Sequence, residues 1–553
     1  MISVNVAIVG GGAAGLFAAL YGSKVILKSN RVSAPPSPGS AEILIFEKMP
    51  RPGRKIGLTG KGRCNLTNTK PWEEFSRHIH PKADFFRSAF YNCSNAKVME
   101  LFQECGLPLV EERGNRVFPR SMRAIDVIDT LVAACKEGGV PICTNTAIKE
   151  IQPLPDAAGE GAASRSLPDA AGDGATSRSL PDAAGDGVAS FSLPDAAGGS
   201  ASRSLPDAAG EGAASRSLPD TAAGCRFLLI GEDGRPVAAA RSVIIATGGL
   251  SYPSTGSTGD GYTFAKRLGH TVTPLFPSLT ALIPENYDQM WQSLGETLHL
   301  KNVQLSLKYE GNILASEFGD ADFTNGGIEG PIGYKLSRRA VELLSTNPAP
   351  QAAQAKQAPL AQQVSPAPQV SLAKQALSAQ QAFSAQQAFS AQQAAPAQQA
   401  SGVRVKSSQL QLILDLKPAV SREELASRLS SIIRSKGRAA ANLQALLREV
   451  MPGMLIRPFL MVHPALPMDP VKIAKELKSW QFTITGYVGY NRAVVTAGGV
   501  SLSELSKKNL ESKLHKGLFF AGEVIDMDCD TGGYNLQMAF STGALAMRGA
   551  LEK

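Results

Sequence analysis

The feature that most constrains this chain is a glycine-rich stretch close to its start. The run Val4–Val9 is apolar and rich in β-branched residues, and Gly10-Gly11-Gly12-Ala13-Ala14-Gly15 follows it directly. An apolar, helix-prone stretch, Leu16–Tyr21, comes next, so the order strand, glycine turn, helix is predicted. This order is typical of a dinucleotide-binding fold, because the unpaired N–H groups at the helix start can face phosphate oxygens.

Each glycine of the motif has its own expected role. Gly10 permits the tight turn, Gly12 lets the backbone approach a pyrophosphate, and Gly15 allows helix and strand to pack closely. Alone, the motif is weak evidence, and its position between a strand and a helix is the context that supports it. A glycine turn in some other α/β protein is the alternative.

A carboxylate after the second predicted strand favours the same interpretation. Ile43–Phe46 is followed by Glu47, and an acidic residue at this place can accept both hydroxyls of an adenosine ribose. Glu47 lies further along the chain than the usual spacing of about 20 residues. We attribute the excess to an insertion, the polar and proline-rich segment Ser29–Ser40.

Two low-complexity segments limit how much of the 553 residues can form a core. Residues 153–223 repeat Leu-Pro-Asp-Ala-Ala-Gly, and residues 347–401 are rich in Gln, Ala and Pro. Neither can bury enough apolar surface to offset chain entropy, so both are predicted to be disordered insertions. Partial helix formation in the Ala/Gln tract stays open.

The charge distribution, the hydropathy and the cysteine spacing indicate which binding partners and which cellular location to expect. The formal charge of +8 is spread without blocks of Lys or Arg, so we predict no nucleic-acid partner. No apolar run is long enough to cross a bilayer, and Met1 leads straight into the first strand, so neither membrane insertion nor a cleavable signal is expected. The seven Cys lack a metal-like spacing, which predicts no metal site and a cytoplasmic location. The oligomeric state is left open.

A second glycine-rich region combines glycines with cations. Gly53–Asn68 contains Gly-Lys-Gly-Arg-Cys-Asn-Leu-Thr-Asn, whose N–H groups and positive charges suit phosphate oxygens. A basic surface loop is the alternative. Cys64 has flanking cations that can lower a thiol pKa, but a packed side chain is the favoured interpretation.

Further glycine pairs follow two later strands. Ser242–Gly249 is a predicted strand that ends in Ala-Thr-Gly-Gly, and Gly517–Asp526 contains another that ends in Ala-Gly-Glu. Thr531–Gln537 then opens a helix of small residues, whose Gly-Gly start directs N–H groups toward a ligand. Beside a flavin, such a helix start stabilises negative charge at the pyrimidine end.

The intervening chain is predicted to be β-rich and helical. Its β-rich region begins with Thr273–Leu314. We also predict hairpins around residues 113–115 and 232–234, a strand pair in Val140–Glu150, and helices over Ala83–Cys105, Arg123–Glu137, Arg422–Leu447 and Pro470–Leu477.

Together these stretches resemble a family of bacterial FAD-dependent oxidoreductases, the bile-acid desaturase-like and aminoacetone-oxidase-like flavoproteins of the two-dinucleotide-binding-domain superfamily. The resemblance covers the chain apart from the insertions. It implies an α/β fold in which residues 1–258 and 491–553 form a Rossmann-like FAD-binding domain. Residues 259–490 would form an inserted β-barrel and helical domain that shapes the substrate pocket.

The resemblance also implies the residues that hold FAD. Gly10, Gly12, Ala14 and Gly15 would form the pyrophosphate turn, with Glu47 and Lys48 at the ribose. The other implied positions are Arg54, Lys55, Thr59, Gly60 and Asn65 along the dinucleotide and flavin, Gly248 after the later strand, Glu523 and Asp526 near the ribityl or phosphate groups, and Gly533, Asn535 and Leu536 at the pyrimidine side.

The implied activity is hydride transfer between flavin N5 and a small organic substrate. NAD(P)H as electron donor is undecided, since no second complete G-x-G-x-x-G follows a strand. The proton-transferring residue is unknown, and Tyr252, Tyr534 and Cys64 are candidates by position in the motifs. An FAD-dependent RNA-modifying protein is the alternative, which would need a basic face near Arg422–Arg448; a scaffold role through the repeats is a third hypothesis.

Overall fold

The computed structural model describes residues 1–28, 40–155, 224–346, 403–404, 409–437 and 442–552. The predicted insertions at 29–40, 153–223 and 347–401 lie outside these residues except at their edges. The strands are β1 Ile2–Val9, β2 Ser40–Phe46, β3 Thr67–Asn68, β4 Ile79–His80, β5 Leu109–Glu112, β6 Arg116–Pro119, β7 Ile142–Cys143, β8 Ile148–Pro153, β9 Phe227–Gly231, β10 Pro236–Ile245, β11 Phe276–Ser278, β12 Leu282–Pro284, β13 Leu298–Tyr309, β14 Asn312–Thr324, β15 Gly327–Glu329, β16 Val403–Arg404, β17 Leu410–Asp415, β18 Trp480–Tyr487, β19 Val495–Ala497, β20 Leu518–Phe520 and β21 Asp528–Cys529. The helices are α1 Ala13–Lys28, α2 Trp72–Phe75, α3 Ala83–Asn92, α4 Asn95–Glu104, α5 Ala124–Glu137, α6 Asp260–Arg267, α7 Tyr287–Leu294, α8 Gly330–Thr346, α9 Arg422–Lys436, α10 Leu443–Leu447, α11 Gly453–Val462, α12 Pro470–Lys478 and α13 Tyr534–Leu551.

A mostly parallel sheet forms the centre of the first domain. Its strands run in the order β7-β2-β1-β10-β9-β8, and β20 also pairs with β10. Strands β7, β2, β1, β10 and β20 run parallel to one another, whereas β9 is antiparallel to both β10 and β8. Helices α1 and α13 pack against each other, and both contribute to the buried core around the sheet. This is the predicted Rossmann-like arrangement, with the first glycine turn between β1 and α1.

Several predicted elements differ from the structure in detail. Residues 83–105 form two helices, α3 and α4, because Ser94 ends one and caps the next by accepting the N–H of Lys97. Strands β7 and β8 both exist, but β7 pairs with β2 and β8 with β9, so the predicted strand pair is wrong. The second strand of the hairpin predicted around residues 232–234 begins at Pro236. It continues without a break into the strand predicted from Ser242, so that the two form the single strand β10. The hairpin of β5 and β6 is confirmed.

The inserted domain is a closed barrel with helices outside it. Strands β12, β15, β14, β13, β17 and β18 form the ring, which closes because β12 also pairs with β18. Its core holds large apolar side chains such as Trp480 and Phe323, both 0% exposed. Ser421 and Asp469 cap helices α9 and α12, since each side chain accepts a backbone N–H of the helix that it begins. The stretch 422–447 forms two helices, α9 and α10, rather than one.

A buried ion pair joins the two parts. Arg338 of α8 donates from Nε to Asp528 Oδ2 of β21 at 2.9 Å, and the Ser278 hydroxyl donates to the same oxygen at 2.9 Å. The hydrophobic core around the parallel sheet includes Phe264 of α6, whereas the hydrophobic core of the barrel domain begins at Leu282. The domain bounds given above stay a prediction. In the described residues, no helix is both long and apolar enough to cross a membrane.

Candidate active site

The backbone of the first glycine turn borders an open cleft. A Cβ on Gly10, whose φ is +111°, would lie 2.5 Å from the carbonyl oxygen of Ala246, and one on Gly15 would lie 2.0 Å from that of Gly10. A Cβ on Gly12 would have no protein atom within 4 Å. The first and third glycines are therefore needed by the fold itself. The second leaves space beside the backbone that a ligand can use.

The cleft is open on one side, and the empty space within it and at its mouth is about 1200 Å³. It runs between the first glycine turn, the cation-rich loop, the strand ends of β10 and β20, and the start of α13. The predicted residues that line it are Gly10, Gly12, Ala14, Glu47, Lys48, Arg54, Lys55, Thr59, Gly248, Glu523, Asn535 and Leu536.

Glu47 is held in place at the end of β2. Its Oε2 accepts the N–H of Gly11 at 2.8 Å, and its Oε1 accepts the N–H of Met49 at 2.7 Å. A carboxylate offers about four acceptor sites, so one remains on each oxygen. These free sites suit the two hydroxyls of a ribose.

Two ion pairs cross the cleft. Lys55 Nζ lies 2.6 Å from Glu523 Oε2, while Glu523 Oε1 accepts the N–H of Thr496 at 2.8 Å. Lys48 contacts Asp260 at the start of α6. Sequence reasoning did not select Thr496 or Asp260, although the run Ser257-Thr258-Gly259-Asp260-Gly261 carries the same mixture of glycine and polar residues as the selected motifs.

Five predicted positions do not line the cleft. Gly15 serves the helix–strand contact, and Gly60, with φ +58°, shapes the cation-rich loop. Asn65 lies against Gly533, since a Cβ on Gly533 would be 2.9 Å from Asn65 Oδ1. Asp526 is largely buried beside Thr273, and burial raises the pKa of its carboxyl. Cofactor contacts by these five residues stay predictions.

The start of α13 is fixed by a polar side chain. Asn535 accepts the N–H of Cys529 at 2.9 Å and donates to the carbonyl oxygens of Cys529 and Asp530. Gly532 and Gly533 have φ values of +130° and +95°, which favour glycine. The N–H groups at the helix start are thus held at the edge of the cleft, where they suit developing negative charge.

A histidine pair that the sequence gave no reason to select lies beside this helix start. His78 Nδ1 and His80 Nε2 each bond to one oxygen of Asp530, at 2.9 and 3.1 Å. Burial alone would raise the pKa of Asp530, but the two histidine hydrogen bonds outweigh burial and lower it to about 2. Tyr534 stacks on His78 with 4.2 Å between ring centroids. Tyr534 is thus packed against this cluster.

Cys64 is not suited to proton transfer. Its side chain is fully buried, and burial raises the pKa of the thiol to about 12, against a smaller lowering by a hydrogen bond with Thr59. The packed interpretation of Cys64 agrees with this environment.

The residues present fit FAD. The open space at Gly12, the free acceptor sites of Glu47 and the cations of the cleft match a diphosphate and a ribose. Two buried side-chain oxygens nearby, Thr247 Oγ1 in the cleft wall and Asn65 Oδ1, have no hydrogen-bond partner in the part of the chain that the structure describes. Such orphaned groups are costly when buried, and a polar ligand can satisfy them.

Comparisons with known proteins indicate the family of this chain. The family model described as "HI0933-like protein Rossmann domain" matches residues 4–162 and 221–549. The chain is 24% identical to a 3-dehydro-bile acid delta(4,6)-reductase of Clostridium scindens, over 99% of both chains. It is 22% identical to a ribosomal RNA dihydrouridine synthase of Haemophilus influenzae, over 97% of this chain and 95% of the other.

Among solved structures, the chain is similar to the 3-ketosteroid-delta4-(5alpha)-dehydrogenase from Rhodococcus jostii RHA1. The two are 12% identical, with 100% of this chain and 97% of the other covered and a TM-score of 0.41.

Proposed function

Because this chain belongs to the HI0933-like family and is an FAD-dependent oxidoreductase, we propose that it reduces the activated C=C bond of a small, largely apolar ketone. Bound FAD supplies hydride transfer at N5. The observation that carries the proposal is the cleft, in which segments near both ends of the chain present groups suited to a dinucleotide. The similarity to a bile-acid reductase over nearly the whole of both chains supports this substrate class.

The residues that line the cleft would bind and orient the cofactor. Gly12 leaves room for the diphosphate, and Glu47 would accept the ribose hydroxyls. Glu523, fixed by Lys55 and by the N–H of Thr496, would hold the middle of the dinucleotide. The start of α13 would stabilise negative charge on the reduced cofactor.

We further propose NAD(P)H as the electron donor, docked transiently at the mouth of the cleft. In the described part of the chain, the parallel strands belong to the one sheet that carries the glycine turn, and the barrel is antiparallel. No second nucleotide-binding fold is therefore present among these residues, so a nicotinamide would have to reach the flavin from outside.

An RNA substrate is the second candidate, favoured by cations at the mouth. Arg51 and Arg54 line the cleft and are exposed, and the side chain of Lys61 is 80% exposed. The expected basic face on α9 is weaker, since Arg428 pairs with Glu424 at 2.6 Å. Cations at a diphosphate-binding cleft also suit the cofactor itself, so the small-molecule substrate is preferred.

The test is spectroscopic. The purified protein should show a flavin spectrum, and NADPH or NADH added without oxygen should bleach it. Addition of 4-androstene-3,17-dione and simpler cyclic enones should then restore it. Bleaching by neither nucleotide would reject the electron donor alone. A dithionite-reduced flavin that no enone reoxidises would reject the substrate class. Enone-independent, salt-sensitive binding of ribosomal RNA would favour the second candidate.

A further inference from the structure

Tyr252 lies where the FAD-binding domain meets the barrel. Gly248 and Thr255, which lie on either side of it in the sequence, line the cleft, whereas Tyr252 itself does not. Its φ and ψ are +54° and +63°, a left-handed conformation that is unusual for a bulky residue, and Pro253 follows it. Backbone strain of this kind persists only where the surroundings impose it, and it is concentrated at functional sites.

The surrounding backbone does impose it. The N–H of Tyr252 donates to the carbonyl oxygen of Tyr490 at 2.9 Å. The carbonyl oxygen of Tyr252 accepts both the N–H of Thr255 at 2.9 Å and its hydroxyl at 2.7 Å. The backbone of Tyr252 is thereby fixed by hydrogen bonds on both of its sides. Its side chain is partly exposed.

The hydroxyl of Tyr252 has no hydrogen-bond partner among the described residues, in contrast to nearby tyrosines. Tyr334 donates to Glu329 Oε2 at 3.1 Å, and Tyr287 donates to the carbonyl oxygen of Thr324 at 2.7 Å. A phenol that is fixed by its backbone but has a free hydroxyl can donate to a ligand at no cost to an internal bond.

The charged groups that face Tyr252 come from the barrel domain. Arg492 interacts electrostatically with the hydroxyl, as does Glu329 of β15. Arg492 Nη1 donates to Asn325 Oδ1 at 2.8 Å, and its Nη2 lies 3.6 Å from Glu329 Oε1. Asn325 and Glu329 thus hold the Arg492 guanidinium within electrostatic range of the phenol, while Glu329 is shared between Arg492 and Tyr334.

We propose that Tyr252 is the acid that protonates the substrate carbon next to the one that receives hydride, with Arg492 as its positioning residue. This rests on the proposed reduction of an activated C=C bond. The π electron pair of that bond forms the new C–H bond with the hydroxyl proton, and the broken O–H bond leaves its electron pair on Oη. The resulting phenolate is stabilised by the guanidinium and then takes a proton from water.

The environment of the phenol agrees with this role. Burial raises the pKa of Tyr252, as Glu329 does to a smaller extent, whereas Arg492 lowers it. The group is therefore protonated at neutral pH and able to donate, and Tyr334 is the other titratable side chain in its electrostatic range.

The test compares Tyr252→Phe with the full-length wild-type protein loaded with FAD. Both are reduced with dithionite, then mixed without oxygen with 4-androstene-3,17-dione and a series of cyclic enones, and flavin reoxidation is followed by stopped flow. The limiting rate should fall about 100-fold or more, the range usual for loss of a general acid. The enone concentration at half-maximal rate should change little. Tyr91→Phe removes a hydroxyl from an exposed ring elsewhere and is the matched control.

Each outcome is decisive. An unchanged limiting rate in Tyr252→Phe, with reoxidation of the wild type intact, would overturn the role of Tyr252 and leave the proposed function standing. Failure of every enone to reoxidise the wild type would reject the proposed function and this role with it. If Tyr252→Phe does not bind FAD, Arg492→Met gives the second measurement. Its limiting rate should fall about tenfold, and a wild-type rate there would also overturn the proposal.

Discussion

Lys55 and Glu523 lie 468 positions apart in the chain, yet their side chains form an ion pair with 2.6 Å between Nζ and Oε2. Both line the cleft, and their side chains are only 22% and 14% exposed. Lys55 belongs to the cation-rich loop, and Glu523 follows the last strand of the sheet. The pair therefore connects the two separate stretches of chain that form the cofactor site.

This pair should be coupled more strongly than a surface pair. In a double-mutant cycle of Lys55→Met and Glu523→Gln, we expect a coupling free energy of about 1 kcal/mol or more, measured by urea unfolding of the FAD-free protein. Arg428 and Glu424 have the same 2.6 Å separation, but their side chains are 59% and 52% exposed. Their cycle should give about 0.3–0.5 kcal/mol, and equal values for the two cycles would contradict the prediction.

The space at Gly12 should be needed by the cofactor and not by the fold. Gly12→Val should leave the unfolding midpoint of the FAD-free protein nearly unchanged but weaken FAD binding at least tenfold, or about 1.4 kcal/mol. Gly453 is the matched control, since it also lies at a helix start with no protein atom within 4 Å of an added Cβ. Gly453→Val should bind FAD as the wild type does. FAD titration of the FAD-free proteins measures both, and wild-type affinity of Gly12→Val would exclude close approach of the diphosphate.

The carboxylate of Glu47 should contribute to FAD affinity through its charge. Glu47→Gln keeps the shape but weakens hydrogen bonds to a charged acceptor, each worth about 1.5–3 kcal/mol, so affinity should fall about 10- to 100-fold. Glu42 on the same strand bonds to Asn5 and does not line the cleft, so Glu42→Gln is the control. Similar losses in both variants would point to damage of β2 rather than to a lost ligand contact.

Three cysteines should resist alkylation in the folded protein. Burial raises the pKa values of Cys64, Cys93 and Cys135 to about 12, so little reactive thiolate forms at neutral pH. Iodoacetamide at pH 8 should modify Cys143, which is partly exposed, well before these three, and all should react in urea. Mass spectrometry of the labelled peptides gives the order of modification. Rapid labelling of Cys64 in the folded state would reopen its candidacy as a reactive group.

A buried histidine should make the protein less stable as the pH falls. The ring of His270 bonds through Nδ1 to Glu504 at 3.0 Å and through Nε2 to Ser512 Oγ at 2.8 Å. Ser512 Oγ already accepts the N–H groups of Leu514 and His515, so its own proton goes to Nε2, and the imidazole is neutral.

The direction of the pH effect follows from proton uptake. Burial lowers the pKa of His270, against a partial raising by Glu504 and a further small lowering by His515. The unfolded chain therefore binds this proton more tightly, and stability falls as the pH drops below about 6.5, by at most about 1.4 kcal/mol per pH unit. The pKa of Glu504 is also lowered, by hydrogen bonds from Thr271 and His270 that outweigh burial, which adds a loss in the same direction at lower pH.

Urea unfolding at pH 7.5 and 5.5 measures this dependence. His270→Asn should reduce the difference between the two pH values, whereas His299→Asn should preserve it, since the His299 side chain is 56% exposed. The same pH dependence in His270→Asn as in the wild type would show that other groups cause the acid loss of stability.

Local patterns were sufficient to predict the sheet strands that carry the motifs. β1 and the strand part of β10 at Ser242 are short apolar runs that end in glycine, and such runs form buried parallel strands whatever follows them. The barrel was predicted only through the family resemblance, and α7 and α11 were not predicted at all. Their amphipathic faces became evident only against the barrel that buries them.

Pairing could not be predicted in the same way. The strand pair at Val140–Glu150 was wrong because β7 and β8 are separated by too little chain to show which neighbour each takes, and the choice is made by the sheet as a whole. The cluster of Asp530 with His78 and His80 gave no sequence signal, since its members lie in two distant segments brought together by β4 and β21.

The sequence by itself determined the glycine turn, the carboxylate at the end of β2 and the family, because these depend on residues adjacent in the chain and on backbone conformations that only glycine adopts readily. The tertiary structure alone decided which of the seventeen predicted positions face the cleft, that Lys55 meets Glu523, and that the Tyr252 hydroxyl has no hydrogen-bond partner among the described residues. Those facts depend on distances between segments that are hundreds of residues apart. Such distances are set by packing of the whole core, and no local pattern encodes them.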